Sequence, residues 1–298
     1  MDARPFALGY VGVGLMGLPM VQRLTKLGWR VRAFDIAPEK VAQSGAQACD
    51  CASDAARDVD ILLLNLPTNE AVVDAVFGHN GAVKTLRPPQ LVVDFSTIPV
   101  ETCRSHASKL QKETGCRWVD APVSGGPPAS AAGTLTVMAG GAEEDLARLA
   151  PLMRDIAGRC TRVGPVGAGL AAKMINQLVV GVGHAMLAEA VALCEKAGID
   201  AARIPDCLAG GYADSNLMKA YWPRMVQRDF APRGYVRQLL KDLEMVAKWS
   251  GGLEATTPML TQALFLYREL AKRGHAELDS SAIRKLYDEP PEYWPKVP

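Results

Sequence analysis

Three observations divide this 298-residue chain into an α/β N-terminal half, an all-α C-terminal half and a long helix joining them. The first half alternates short apolar or β-branched runs with segments of helical spacing, which predicts βαβ units and a parallel sheet. A glycine cluster, Gly12-Val13-Gly14-Leu15-Met16-Gly17, stands at the first strand–helix junction and makes that half a Rossmann-type domain. After Gly164 the strand pattern stops, and the rest of the chain reads as helix.

Taken in order, residues 6–11 and 29–34 read as strands. Residues 61–66 form a nearly continuous apolar run, as a strand buried on both faces requires. Residues 91–95 read as a further strand, and 19–27 and 71–77 have helical spacing between them. Short strands at 118–119, 134–139 and 160–163 surround a helix near 143–157. From 169 to 196 there is no proline, apolar residues recur at helical spacing, and Gly198 closes the run as a C-cap would. That helix is about 40 Å long at about 1.5 Å per residue. Residues 201–209, 215–226, 236–249, 257–272 and 280–288 read as helices after it, with Pro223 expected to kink or end the second of them. The domains are therefore read as 1–163 and 164–298, with a packed boundary near 163–167.

Composition narrows the function. The net charge is +1 with no run of Lys or Arg, and aromatic residues are 6%, which argues against a nucleic-acid-binding surface. Charged residues at 22% and apolar residues at 49% are ordinary for a globular enzyme. The N-terminal Met1-Asp2-Ala3-Arg4-Pro5 lacks the pattern of a secretory signal. The longest apolar stretch, 178–193, contains His184 and Glu189, so a buried helix is expected and not a membrane span. Seven cysteines without a CxxC pair and four scattered histidines give no metal framework. Reduced thiols, a cytoplasmic setting and no structural metal are expected.

The glycine cluster carries the cofactor reading. Gly12 permits the tight turn, Gly14 lets backbone approach a pyrophosphate, and Gly17 lets helix and strand pack closely. The helix N-terminus adds N–H donors and the positive end of its dipole. Three glycines alone could serve only a turn. Asp35, 18 residues after Gly17 at the end of the second strand, raises the specificity, because an acid there accepts from a ribose 2′-hydroxyl. It also repels a 2′-phosphate. Ile36 comes next, and Arg32 and Lys40 are near but not adjacent, so NAD is expected over NADP.

Several further segments, in order, resemble the β-hydroxyacid dehydrogenase family, which includes 3-hydroxyisobutyrate dehydrogenase and tartronate semialdehyde reductase. These are residues 12–20 with Pro19-Met20, Leu66-Pro67, Asp94-Phe95-Ser96-Thr97-Ile98, the 120–126 run Asp-Ala-Pro-Val-Ser-Gly-Gly, and 133–138. The 167–173 run, Asn176-Gln177 and Lys241-Asp242 complete them. The resemblance covers nearly the whole chain. It implies cofactor contacts at Gly12, Gly14, Leu15, Met16, Gly17, Asp35, Leu66, Pro67, Thr97 and Lys241. It implies substrate binding at Ser124, Gly125 and Gly126, and catalysis at Lys173, Asn176 and Gln177.

The chemistry of these residues fits that assignment. Hydride transfer between an alcohol carbon and a nicotinamide needs a group that takes or returns the hydroxyl proton. Lys173 lies among Ala171, Ala172, Met174 and Ile175, and an apolar setting lowers a lysine pKa towards about 7–8, the useful range. The bland alternative is a lysine snorkelling from a buried helix. Gln177, four residues on, shares its helix face and can hold a substrate oxygen or orient the lysine. A hydroxyl and two backbone N–H groups at Ser124-Gly125-Gly126 suit a carboxylate. Thr97, at a strand's C-terminal end, faces the crevice where such sheets bind ligands.

Many members of the family resemble Lys-x-x-Asn-Asn, whereas this chain has Asn176-Gln177, which resembles the tartronate semialdehyde reductase branch. Reduction of tartronate semialdehyde is therefore the leading expectation, with 3-hydroxyisobutyrate, L-threonate-type sugar acids and 4-hydroxybutyrate as alternatives. Oxidative decarboxylation is disfavoured, because no His follows Lys173 as in the 6-phosphogluconate dehydrogenases. An imine reductase is disfavoured because those relatives usually replace the lysine. A non-catalytic dinucleotide-binding protein on the same fold would be marked by loss of that lysine. The apolar helix and the resemblance together imply a homodimer or homotetramer.

Overall fold

The computed structural model describes residues 5–291 and residue 294. Residues 1–4, on which the expectation of no leader largely rests, lie outside the described residues. The chain forms two compact units, 1–173 and 174–298.

The first unit runs β1 (Ala7–Val11), α1 (Gly17–Lys26), β2 (Arg30–Phe34), α2 (Pro38–Ser44), β3 (Gln47–Ala48), α3 (Ala52–Ala55), β4 (Ile61–Leu64) and α4 (Asn69–Phe77). It continues through β5 (Leu91–Asp94), α5 (Val100–Thr114), β6 (Arg117–Asp120), β7 (Val123–Ser124), α6 (Gly126–Ala132), β8 (Leu135–Gly140), α7 (Glu143–Ile156) and β9 (Ala157–Gly164). The nine strands form one sheet in the order β3-β2-β1-β4-β5-β6-β8-β7, with β9 paired to β8. The strands from β3 across to β6 are parallel, while β8 is antiparallel to β6 and β7. The winding reverses between β1 and β4, so the C-terminal ends of these two strands open the crevice where such sheets bind ligands. All four residues of β4 are fully buried, which accounts for its unbroken apolar sequence.

The helix α5 is absent from the sequence reading. Its buried stripe is Val100, Cys103, His106 and Leu110. Cysteine and histidine occupy two of the four places, so the apolar period is faint although the spacing is helical. The two-residue strands β3 and β7 and the four-residue helix α3 carry too little chain to show any period.

The long helix α8 (Ala168–Lys196) begins in the first unit and continues through the second. There it is succeeded by α9 (Ile204–Leu208), α10 (Asn216–Gln227), α11 (Val236–Gly252), α12 (Pro258–Leu270) and α13 (Lys285–Asp288). The expected 201–209 helix is a 3-10 turn, Ala201–Arg203, leading into α9. Ser215 caps α10 by accepting from the Met218 N–H at 3.1 Å. Pro223 does not end α10, which runs on to Gln227. An interior proline costs about 3 kcal/mol. Buried neighbours hold this turn against it: Trp222, whose Nε1 donates to the Ala201 carbonyl at 2.7 Å, and Met225.

The division between units falls after Lys173, later than the 163/164 boundary expected where the strand pattern stops. The first turns of α8 are tied to the sheet. Asp120 accepts from the Gly167 and Leu170 N–H groups, and Lys173 Nζ donates to the Val123 carbonyl. By length and mean hydropathy α8 could cross a membrane. Its polar residues Lys173, Gln177 and His184 are instead buried, as in a core helix.

His184 gives the second unit a pH dependence. Tyr267 donates its hydroxyl to the Ser280 carbonyl at 3.3 Å, so it accepts from His184 Nδ1–H at 3.2 Å. Burial lowers the His184 pKa to about 4. The folded state thus binds fewer protons than the unfolded one between about pH 6.5 and 4. Stability is full above that window and falls as pH drops through it, by up to about 3 kcal/mol. Urea titrations at pH 7 and pH 4.5 should show this loss, and His184→Gln should reduce its pH dependence. Equal pH dependence in the variant would refute the assignment.

Candidate active site

The dinucleotide half of the site is built at the ends of β1, β2, β4 and β5. Gly12 takes φ +99° at the end of β1, where a Cβ would run into the Asn65 carbonyl. A Cβ on Gly17 would run into the Gly12 carbonyl, so both positions require glycine. A Cβ on Gly14 meets nothing within 4 Å, leaving its backbone open to an incoming phosphate. Leu15 is exposed and Met16 half-buried in the same turn. This cradle fits a dinucleotide: two glycines close the turn and the third leaves a clear approach to the N-terminus of α1.

Asp35 comes directly after β2 and is bonded into the same turn. Its Oδ2 accepts from the Val13 N–H at 2.6 Å and its Oδ1 from the Ala37 N–H at 2.9 Å. The carboxylate therefore fixes the glycine loop, and it is the acid expected at a ribose 2′-hydroxyl. Arg32, one of the basic residues near Asp35 in sequence, is paired with Asp54 at 2.7 Å.

Leu66 and Pro67 lie beyond β4 rather than extending it. The Leu66 N–H donates to Ser96 Oγ at 2.9 Å, and the Ser96 N–H donates to Asp94 Oδ1 at 2.8 Å. The loops after β4 and β5 are thereby joined, with half-buried Thr97 next to Ser96. Ser96 is a positioning residue that sequence reasoning passes over, although it lies inside the Asp94–Ile98 segment. Asp94 is fully buried beside Asp120 in the sheet register, and burial raises its pKa to about 7.

The residues expected to bind substrate begin at β7. Ser124 ends that strand, and Gly125 and Gly126 have φ of +127° and +69° as the chain turns into α6. A side chain on Gly125 would strike the Ala129 Cβ at 2.6 Å. The segment is thus an ordered turn into a short helix. Lys173, 7% exposed, donates from Nζ to the Val123 carbonyl at 2.8 Å. The structure thus brings Lys173 to the residue before Ser124. The carbonyl contact anchors the ammonium, and a nitrogen with three N–H donors can be shared with a substrate oxygen.

The remaining candidates belong to the second unit. Asn176 Nδ2 donates to Gln177 Oε1 at 2.8 Å, and Gln177 Nε2 donates to Asp242 Oδ2 at 2.6 Å. Lys241 Nζ stands 3.3 Å from Asp242 Oδ1. Asp242, 5% exposed, therefore gathers Asn176, Gln177 and Lys241 into one chain of polar contacts. Sequence reading names the Lys-Asp pair but gives no role to the aspartate. The usable signal is an acid on the buried stripe of α11, flanked by Leu239, Leu243 and Val246. Of the aromatic residues, Trp222 packs in the core and Tyr212 is fully exposed.

A glycine turn that fits a dinucleotide, an acid bonded into that turn, and a buried lysine beside a second glycine turn form the pattern expected of a nicotinamide-dependent oxidoreductase. Comparison with known proteins makes this specific. Residues 7–164 match the family described as the NAD-binding domain of 6-phosphogluconate dehydrogenase. Residues 167–287 match the family described as NAD-binding of NADP-dependent 3-hydroxyisobutyrate dehydrogenase. The chain is 32% identical over 279 residues to 2-hydroxy-3-oxopropionate reductase of Escherichia coli, covering 93% of this chain and 95% of that one. It is 34% identical over 292 residues to NAD-dependent L-serine dehydrogenase of Pseudomonas aeruginosa, covering 94% and 97%. The structure of 3-hydroxyisobutyrate dehydrogenase from Mycobacterium tuberculosis with L-serine superposes with TM-score 0.84 at 32% identity, covering 94% and 98%. The chain belongs to the β-hydroxyacid dehydrogenase family, and its cofactor is NAD.

Proposed function

We propose that the chain reduces tartronate semialdehyde (2-hydroxy-3-oxopropionate) to glycerate, reversibly, with NADH. The observation that carries this reading is the buried Lys173, anchored on the Val123 carbonyl beside Ser124-Gly125-Gly126. In this reading the substrate carboxylate rests on the Ser124 hydroxyl and the N–H groups of Gly125 and Gly126. Lys173 Nζ gives a proton to the aldehyde oxygen as hydride reaches the carbon, and takes the hydroxyl proton in the reverse direction. Bound NADH supplies the hydride. Gln177 and Lys241 are held by Asp242 and Asn176 by Gln177, which limits the geometries they can take. The Asn176-Gln177 pair and the Escherichia coli relative support tartronate semialdehyde as the substrate.

The second reading is oxidation of 3-hydroxyisobutyrate or another 3- or 4-hydroxy acid, L-serine included. It is supported by the Pseudomonas and Mycobacterium relatives. The same carboxylate turn and lysine serve any of these acids, which differ at carbon 2 or in chain length. We further infer a cytoplasmic enzyme working as a homodimer or homotetramer. Exposed Ile175, Val179, Met186 and Leu193 along α8 support association with a second copy.

The test is a panel of kcat/KM values for tartronate semialdehyde, 3-hydroxyisobutyrate, L-serine, L-threonate and 4-hydroxybutyrate with each cofactor. Tartronate semialdehyde with NADH is expected to lead. A tenfold advantage for any other acid would replace the substrate named here. Asp35→Ala should raise the KM for NAD about tenfold or more, since a charge-assisted bond is worth about 1.5–3 kcal/mol. It should also narrow the preference over NADP. An unchanged preference would show that Asp35 does not select the cofactor.

A further inference from the structure

The first turns of α8 are held from the sheet by a single buried carboxylate. Asp120 ends β6 with 0% exposure. Its Oδ1 accepts from the Gly167 N–H at 2.7 Å and its Oδ2 from the Leu170 N–H at 2.8 Å. A Cβ on Gly140 would stand 2.5 Å from Asp120 Oδ1, and a Cβ on Gly169 would stand 2.8 Å from the Asp120 carbonyl. Glycine at both positions lets β8 and the start of α8 close around the carboxylate. Three residues beyond Asp120, the Val123 carbonyl accepts from Lys173 Nζ, and Lys173 is three residues beyond Leu170. The 120–123 segment therefore grips α8 at two points, first the helix start and then the lysine.

We propose that Asp120 is a positioning residue for the reaction: by clasping the N-terminus of α8 it fixes where Lys173 stands relative to the Ser124-Gly125-Gly126 turn. Carboxylate chemistry suits this task. The first N–H groups of a helix have no partner within the helix, and an anion satisfies two of them while facing the positive end of the dipole. Burial holds the Asp120 pKa above its ordinary value, and the N–H groups of Gly167 and Leu170 oppose that rise. The clasp matters to rate because displacing a catalytic group by about 1 Å costs about a hundredfold. The catalytic consequence rests on Lys173 being the acid–base group; the clasp does not.

The test uses Asp120→Asn and Asp120→Ala in the full chain. Asparagine keeps one acceptor and turns an amide donor towards the other N–H. It should lower kcat about tenfold, and alanine about a hundredfold, with the Kd for NADH within twofold of wild type. Independently of turnover, the amine of Lys173 should react with an acylating reagent about tenfold faster in the asparagine variant, read by peptide mass spectrometry. The Cys116 thiol, 1% exposed, should stay as protected as in wild type. Unchanged kcat and unchanged labelling would overturn the proposal. So would a loss of NADH binding in parallel with kcat, or Cys116 opening together with Lys173, since both mark general loosening.

If wild type turns over no acid of the panel but the labelling result holds, the functional reading fails and the clasp stands. If neither variant folds, wild-type protein decides. Labelling of Lys173 should then be as slow as hydrogen exchange at the Gly167 and Leu170 amides allows. Fast labelling over protected amides would overturn the proposal.

Discussion

Lys173→Ala is expected to lower kcat by about 10²- to 10⁴-fold, the usual contribution of a positioned proton-transfer group. The Kd for NADH should stay within twofold, because the cradle at Gly12, Gly14, Gly17 and Asp35 makes its own contacts around the ends of β1 and β2. Lys173→Arg should be nearly as slow. Arginine keeps the positive charge but does not release a proton near neutral pH. The pair of variants thus separates electrostatic attraction of the substrate from proton transfer. Stopped-flow absorbance of the reduced nicotinamide, with NADH binding measured by fluorescence on the same samples, reads both quantities. An arginine variant near wild-type rate would reduce the role of Lys173 to charge alone.

Asp279→Ala should cost the second unit about 3–5 kcal/mol, the range for breaking a buried ion pair by removing one partner. Asp279 is 0% exposed and its Oδ1 stands 2.8 Å from Arg224 Nη1. It also accepts from the N–H groups of Arg233, Gly234 and Ser281 and from the Ser281 hydroxyl. Burial raises its pKa, but those hydrogen bonds and the Arg224 guanidinium outweigh it and hold the carboxyl below its ordinary value. Removing it leaves the 5% exposed Arg224 guanidinium with Asp229 at 3.4 Å and the Ala231 carbonyl, and leaves four donors without this acceptor. Urea unfolding followed by far-UV circular dichroism measures the loss. A cost below about 1 kcal/mol would show that water or a neighbouring carboxylate replaces Asp279.

Much of the fold is legible in the sequence, for reasons that differ between the halves. Buried parallel strands force continuous apolar runs, so β4 and β5 stand out, and the glycine cluster marks the junction of β1 with α1. The long helix α8 is legible because proline is absent and its period is sustained over 29 residues. The features that escape are carried by polar atoms with tertiary partners. The stripe of α5 contains Cys103 and His106, which no apolar period counts. Pro223 sits inside α10 because its neighbours are anchored in the core, a tertiary override of a local rule. At the site, residue types point to the groups that would meet ligand. The residues that hold them, Ser96, Asp120 and Asp242, bond to backbone or side chains far away in sequence. Asp120 meets Gly167 and Asp242 meets Gln177 only once the chain has folded.

Hydride transfer itself is most directly seen with NADH deuterated at C4. Mixed with tartronate semialdehyde and the wild-type protein, cofactor deuterated on the transferred face should yield glycerate carrying one deuterium on carbon 3, detected by mass spectrometry. The Lys173→Ala variant should transfer the same label to the same carbon at least a hundredfold more slowly, by the rough scale of general acid–base catalysis. Oxidation of the cofactor without deuterium in the product, from either face, would contradict direct hydride transfer. So would absence of transfer to tartronate semialdehyde and to the oxidised form of every other acid of the panel by protein shown to bind NADH.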